Sequence, residues 1–181
     1  MFNFLTKFAL KSVIRGANEG NAEDQCVLGD SYRLGNGVKK DEAEAARWYS
    51  KAAHQGDSCA QYNLALCFDH GIGLSKNSFE AFKWYRAAAE QGNVEAQVST
   101  GFAYDNGEGV SQDYGEALRW YLIAAGHHNS NAQFNLGNIY RLGKGVSIDL
   151  QAAARWYQLA ANQGDRQAYN NLRLCHSMMS D

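Results

Sequence analysis

Apolar residues in this chain follow two periods, one short and one long. Within short stretches they recur at intervals of three and four, which places them on one face of an α-helix. Across the chain the whole pattern returns every 36 residues. The octapeptide "ARWYSKAA" at 46–53 comes back as "FKWYRAAA" at 82–89, "LRWYLIAA" at 118–125 and "ARWYQLAA" at 154–161. The only four tryptophans, Trp48, Trp84, Trp120 and Trp156, share one position of this repeat, and a tyrosine follows each of them. A position filled identically in every copy is core, so the pattern predicts a stack of repeated units.

Each period predicts two helices. Helix A covers 22–34 in the first copy, "AEDQCVLGDSYRL", with an apolar stripe of Leu28, Gly29 and Tyr32. The stripe recurs as Leu64, Ala65 and Phe68, as Gly101 and Tyr104, and as Leu136, Gly137 and Tyr140. Its small middle residue allows a neighbouring helix to approach closely. The loops "GNGV", "GIGL", "GEGV" and "GKGV" suit a helix end passing through left-handed backbone. Helix B opens on Asp41, Asn77, Asp113 or Asp149 as N-cap. Glu44, Glu80 and Glu116 follow three residues later as a capping-box pattern. Helix B then buries Ala45, Trp48, Tyr49 and Ala52. A single helical hairpin cannot cover such a face, so each copy supplies the surface on which the next packs.

The frame is one all-α solenoid domain: units 21–56, 57–92, 93–128 and 129–164, an N-terminal capping helix within 1–20, and a partial fifth unit at 165–181. The last segment keeps Leu172 but carries Arg173 and His176 where glycine and tyrosine stood, as a terminal helix would. His127 and His128 replace the "QG" that ends the other units, and read as a solvated turn.

Composition narrows the class. The 181 residues hold 18 glycines and no proline, so reversals are glycine turns; 45% are hydrophobic and 20% charged, as in a soluble globular protein. A net charge of −2 gives no electrostatic footprint for nucleic acid. Cys26, Cys59, Cys67 and Cys175 contain no CxxC, and Cys59 and Cys67 on one helix lie ~12 Å apart, too far to bridge. They read as free thiols of a reducing compartment. Cys67 and His70 share a helix face, but two further metal ligands are missing, so no metal and no cofactor is expected. Lys7, Lys11 and Arg15 interrupt the apolar amino terminus and leave no signal-peptide core, and no run is long enough to span a membrane. The expected location is cytoplasmic, with export by a route lacking a recognisable signal as the alternative. Phe2, Leu5, Ala9 and Val13 form an apolar stripe beside those three basic residues. That stripe is expected to pack as the N-terminal cap; the competing reading is a peripheral membrane contact.

The set "A-x-x-x-L-G-x-x-Y…G-x-G-V-x-x-D…A-x-x-W-Y…A-A-x-x-G", recurring in register over about 15–179, resembles the Sel1-like repeat family, a relative of tetratricopeptide arrays. The resemblance implies a right-handed superhelix of α-α hairpins, with A helices on the concave face and B helices outside. It also implies an adaptor or scaffold in protein complexes, in bacteria often in signalling, envelope or host interaction. A cysteine-rich branch of the family is linked to penicillin binding as a β-lactamase-like hydrolase. This chain lacks that branch's paired cysteines, S-x-x-K and K-T-G, and carries no nucleophile, carboxylate-pair or nucleotide-loop arrangement, so it is not expected to be an enzyme.

The expected partner is a protein or peptide in the helix A groove, with the oligomeric state left open. The face opposite the Leu28 stripe holds positions 23, 26, 30, 33 and 34, with 27 at its flank. Position 27 reads Val27, Asn63, Ser99, Asn135 and Asn171. Asparagines there offer a donor and an acceptor to a peptide backbone, as in similar tetratricopeptide grooves, or else bridge neighbouring A helices. Tyr62, Phe102 and Phe134 would supply apolar pockets, and Arg33 and Arg141 would pair with carboxylates.

Overall fold

The three-and-four spacing closes into helices at the expected places. A computed structural model describes residues 7–180, and every regular element among them is an α-helix. They are α1 (Lys7–Asn18), α2 (Ala22–Leu34), α3 (Glu42–His54), α4 (Ser58–His70) and α5 (Ser78–Glu90), then α6 (Val94–Asn106), α7 (Tyr114–Gly126), α8 (Ser130–Leu142), α9 (Leu150–Asn162) and α10 (Arg166–Met178). Even-numbered helices are A helices and odd-numbered ones are B helices. The Phe2, Leu5, Lys7 and Ala9 part of the N-terminal stripe lies outside the described side chains; Val13 is half-buried while Lys11 and Arg15 are exposed. Among the described residues no helix is long and apolar enough to cross a membrane.

Capping sets the helix starts. Asp41 Oδ1 accepts the Glu44 amide at 2.9 Å and Asp149 Oδ1 the Ala152 amide at 2.8 Å, each cap being worth ~1 kcal/mol. The reciprocal half of the predicted capping box gives way to other partners. The Asp41 amide donates to the Tyr32 carbonyl at 2.9 Å, closing the hairpin loop. Glu44 turns instead to Arg47 at 3.1 Å, as Glu80 does to Lys83 and Glu116 to Arg119. The first loop glycine ends helix A: Gly35, at φ 75°, donates to the Ser31 carbonyl. The second permits contact between repeats, since a Cβ on left-handed Gly73 would collide with the Glu42 carbonyl at the start of α3.

The helices gather into two compact units, residues 1–96 and 97–181, with the border inside α6. In the first, α1 to α5 each pack on the next. Trp48 is held among Leu10 and Ala17 of α1 and Leu28 of α2, and the Trp84 ring meets His54 edge-on at 5.0 Å. These tryptophans are core, as read from the repeat. In the second unit, Ala153, Tyr157 and Ala160 of α9 close on Ala168, Leu172 and Cys175 of α10. Trp120 is buried there and Trp156 partly so.

Two features of the packing depart from the sequence reading. Position 26 was assigned to the open face of helix A, yet Cys26 is buried. Position 31, unassigned, is fully enclosed as Ser31, Cys67, Ile139 and Cys175. The reason is that an A helix such as α4 packs on both α3 and α5, so more than one stripe is covered. Buried amides also join the layers: Gln55 Nε2 donates to Gln25 Oε1 at 2.7 Å, and Gln25 Nε2 to the Ala17 carbonyl at 3.1 Å. Gln91 repeats the bond to Gln61, and Gln163 the bond to Gln133. A buried amide so paired escapes the cost of desolvation without a partner.

Candidate functional site

The helix A face is built by a tyrosine that comes from behind it. Tyr49 of α3 lies against Gly29 of α2, where an added Cβ would stand 2.7 Å from the ring. Gly101 and Gly137 make the same room for Tyr121 and Tyr157, at 2.8 and 2.5 Å. The small residue of the stripe therefore admits a tyrosine ring, which carries its hydroxyl through to the A helix's polar side. In the second copy Ala65 stands at this position, and Tyr85 is 6% exposed where the other three are fully enclosed.

In the first unit the Tyr49 hydroxyl donates to Asp30 Oδ1 at 2.7 Å and accepts from Arg33 Nε at 3.1 Å. Arg33 Nη2 also reaches Asp30 at 3.1 Å, closing a three-membered knot, yet the Arg33 side chain stays 40% exposed. Burial, then the bond and charge of Asp30, push the Tyr49 phenol far above its ordinary value, so it remains a neutral donor. One repeat on, Tyr85 donates to Asp69 at 3.2 Å and stacks at a tilt on half-buried Tyr62 with centroids 5.8 Å apart. The Asn63 amide lies 3.9 Å from Cys26 Sγ, bridging α4 to α2.

In the second unit Tyr157 repeats the knot, donating to Asn138 Oδ1 at 2.7 Å and accepting from Arg141 Nε at 3.1 Å. Asn171 of α10 faces the Tyr157 phenol, and Phe134 packs against its ring at 5.8 Å. Burial raises that phenol, and Arg141 and Asn171 oppose the rise. The third copy differs. Phe102, at the position of Asp30, is 48% exposed, and Asp105 is taken by Lys144 Nζ at 2.7 Å. The buried Tyr121 hydroxyl is left with no hydrogen-bond partner among the described residues. Asn135 is half-buried on α8.

The structure thus binds five of the eight predicted residues into the scaffold: Arg33 and Arg141 to tyrosine hydroxyls, Tyr62 and Phe134 to tyrosine rings, and Asn63 across helices. Phe102, Asn135 and Asn171 are the three without such a role. Asp30 and Asn138 stand at position 30, on the expected face but with no role assigned from sequence, and the tyrosine hydroxyls were missed. Their signal was present: a polar residue and an arginine three apart on helix A, in the first and fourth copies, each followed by the invariant tyrosine 16 residues after the arginine.

The four thiols are free, with Cys26, Cys67 and Cys175 buried and Cys59 exposed. Burial pushes Cys26 up to about 12 and Cys67 to about 11, the range of inert structural cysteines. Among the described residues no three His, Cys, Asp or Glu side chains converge as metal ligands.

A family model described as Sel1 repeat matches residues 22–57, 60–93, 94–127 and 130–165. A crystal structure of a Sel1 repeat protein from Oxalobacter formigenes is 38% identical, with a TM-score of 0.90, over 96% of this chain and 69% of that one. The structure of c5321, a protective antigen present in uropathogenic Escherichia coli strains, is 39% identical with a TM-score of 0.88 over 91% of this chain. The match spans 35% of the antigen, about a third of its length. Helicobacter pylori cysteine rich protein B, at 18% identity and a TM-score of 0.54 over 70% of this chain and 94% of that one, shares the fold alone. No protein of curated function matches.

Proposed function

The chain belongs to the Sel1-repeat family, and from that premise we propose that it is a non-catalytic scaffold mediating protein–protein contacts, with helix A faces that take a peptide or protein segment. The observation that carries this reading is the pair of tyrosine knots. Arg33 is fixed at Nε by a buried hydroxyl and remains well exposed, so the ordering cost of presenting a cation has been met by folding rather than by binding. Arg141 is held the same way by Tyr157. Arg33 is already paired with Asp30, whereas the fourth-copy knot has Asn138 at that position, so it is at Arg141 that a partner's carboxylate would meet an oriented guanidinium with no carboxylate beside it among the described residues.

Other groups on the A helices would serve the rest of a segment. Phe102 offers an open aromatic surface, and Tyr62 and Phe134 are half-buried. The 3.9 Å approach of Asn63 to sulfur is a weak bond, and a peptide carbonyl is a better acceptor for that amide. Asn135 is available in the same role, with Asn171 near the Tyr157 phenol as its counterpart on α10. The buried free thiols suit a reducing compartment, and we place the protein's work in the cytoplasm.

The test is affinity capture from the native cell with the intact chain and with an Asn63→Ala/Phe102→Ala/Asn135→Ala/Arg141→Gln variant, with folding of both checked by circular dichroism. A partner retained by the wild type and lost by the folded variant is expected. A partner held equally by both would move the binding surface to the B helices or the loops, and would leave the asparagines as bridges between repeats.

A further inference from the structure

A cleft away from the helix A face has a chemistry of its own. Between α9 and α10 a cavity of about 400 Å³ is lined by Ala154, Arg155, Gln158, Leu159, Leu172 and His176. The same cleft exists 108 residues earlier between α3 and α4, lined there by Ala46, Arg47, Ser50, Lys51, Leu64 and Phe68 among others. That earlier copy has α5 in place behind it, so the cleft is a regular feature of a B helix meeting the next A helix.

The two copies differ in charge. In the earlier one Arg47 is neutralised by Glu44 at 3.1 Å, and the Lys51 ammonium sits 3.8 Å over the Trp48 ring. The matching glutamate also occupies Lys83 and Arg119 in the second and third repeats. In the fourth repeat the glutamate position is Ala152, and Arg155 pairs with no carboxylate among the described residues. Leu159 replaces the lysine, and His176 replaces Phe68 on the opposite wall. The result is an unneutralised guanidinium at the rim of an apolar floor.

We propose that this cleft binds the C-terminal carboxylate of a partner peptide ending in an aliphatic residue. Arg155 pairs with the carboxylate, Gln158 and His176 supply further polar contacts, and Leu159 and Leu172 receive the side chain. A terminal residue carries its carboxylate and side chain on one Cα, and Arg155 and Leu159 are one helical turn apart, about 5–6 Å between Cβ atoms. An internal acidic residue would present its immediate neighbour on the opposite side of an extended strand and its first same-side neighbour about 7 Å further along. The cleft is open to solvent, and its volume of about 400 Å³ lies at the low end of the ~300–1,000 Å³ typical of small-ligand sites, enough for one residue.

The test uses the full chain labelled with nitrogen-15 and two probes, N-acetyl-leucine, which mimics the peptide terminus, and its uncharged amide. Saturable amide shifts at residues 155–159 and 172–176 are expected, with the acid bound about tenfold more tightly than the amide, as a charge-assisted bond allows. Ala152→Glu restores the neutralising glutamate of the other repeats at a position where helix B accepts it. In that variant the acid should weaken to the level of the amide, with amide binding unchanged. Equal binding of acid and amide by the wild type, no saturable shift, or an acid preference that survives Ala152→Glu would each overturn the assignment.

Discussion

His128 is the one described residue other than glycine with a positive φ, at 61°. It fills the turn position held elsewhere by Gly56, Gly92 and Gly164, at φ 93°, 88° and 93°. No atom lies within 4 Å of a Cβ added at any of those three glycines, so space is not what excludes a side chain there. The cost is in the backbone. A left-handed conformation costs an L-residue ~1–2 kcal/mol. Replacing it with glycine returns ~0.4–1 kcal/mol of that as added entropy in the unfolded chain. His128→Gly should therefore stabilise the protein by ~0.5–1 kcal/mol, which in a chain of this size raises Tm by about 1–4 °C. Thermal unfolding followed by circular dichroism measures it, with Gly164→His as the mirror experiment, expected to lower Tm by a similar amount. A His128→Gly variant no more stable than wild type, or a Gly164→His variant with unchanged Tm, would refute the backbone argument.

Four further outcomes are expected. Tyr157→Phe removes a hydroxyl that bonds Asn138 and Arg141 and should cost ~1–2 kcal/mol, whereas Tyr121→Phe removes a buried hydroxyl with no partner and should be neutral or stabilising; urea denaturation of the two variants compares them. Lys144→Met leaves Asp105, whose side chain is 11% exposed, without its counter-ion and should cost ~1–3 kcal/mol, most of it recovered when Asp105→Leu is added; a double variant no better than the single would refute this. Iodoacetamide at pH 8 should label Cys59 alone in the folded protein, read by mass spectrometry. Since folding holds Cys26 near 12 against an ordinary 9.0, its contribution to stability is complete below pH 9 and is lost as pH rises towards 12, so Tm should fall over that window.

The 36-residue period, the helix pairs, the N-caps and the glycine loops were all legible in the sequence because each rests on local chemistry. An N-cap reaches three residues and a left-handed glycine acts on its own turn, so their signals lie within a short window. The period itself reported that hairpins stack, since no other arrangement covers the Trp48 and Ala52 face. The role of the small residue at Gly29 was half-read: close approach was evident, but that the approaching group is Tyr49, delivering a hydroxyl to Asp30 and Arg33, required the helices in place. The same holds for Lys144 and Asp105, 39 residues apart, and for Gln55 and Gln25, 30 apart. Position 26 shows the limit most clearly. A single helix has one buried face, and periodicity assigned Cys26 to the other. An A helix within the stack is covered from both flanks, so burial there is decided by neighbours that no local pattern encodes.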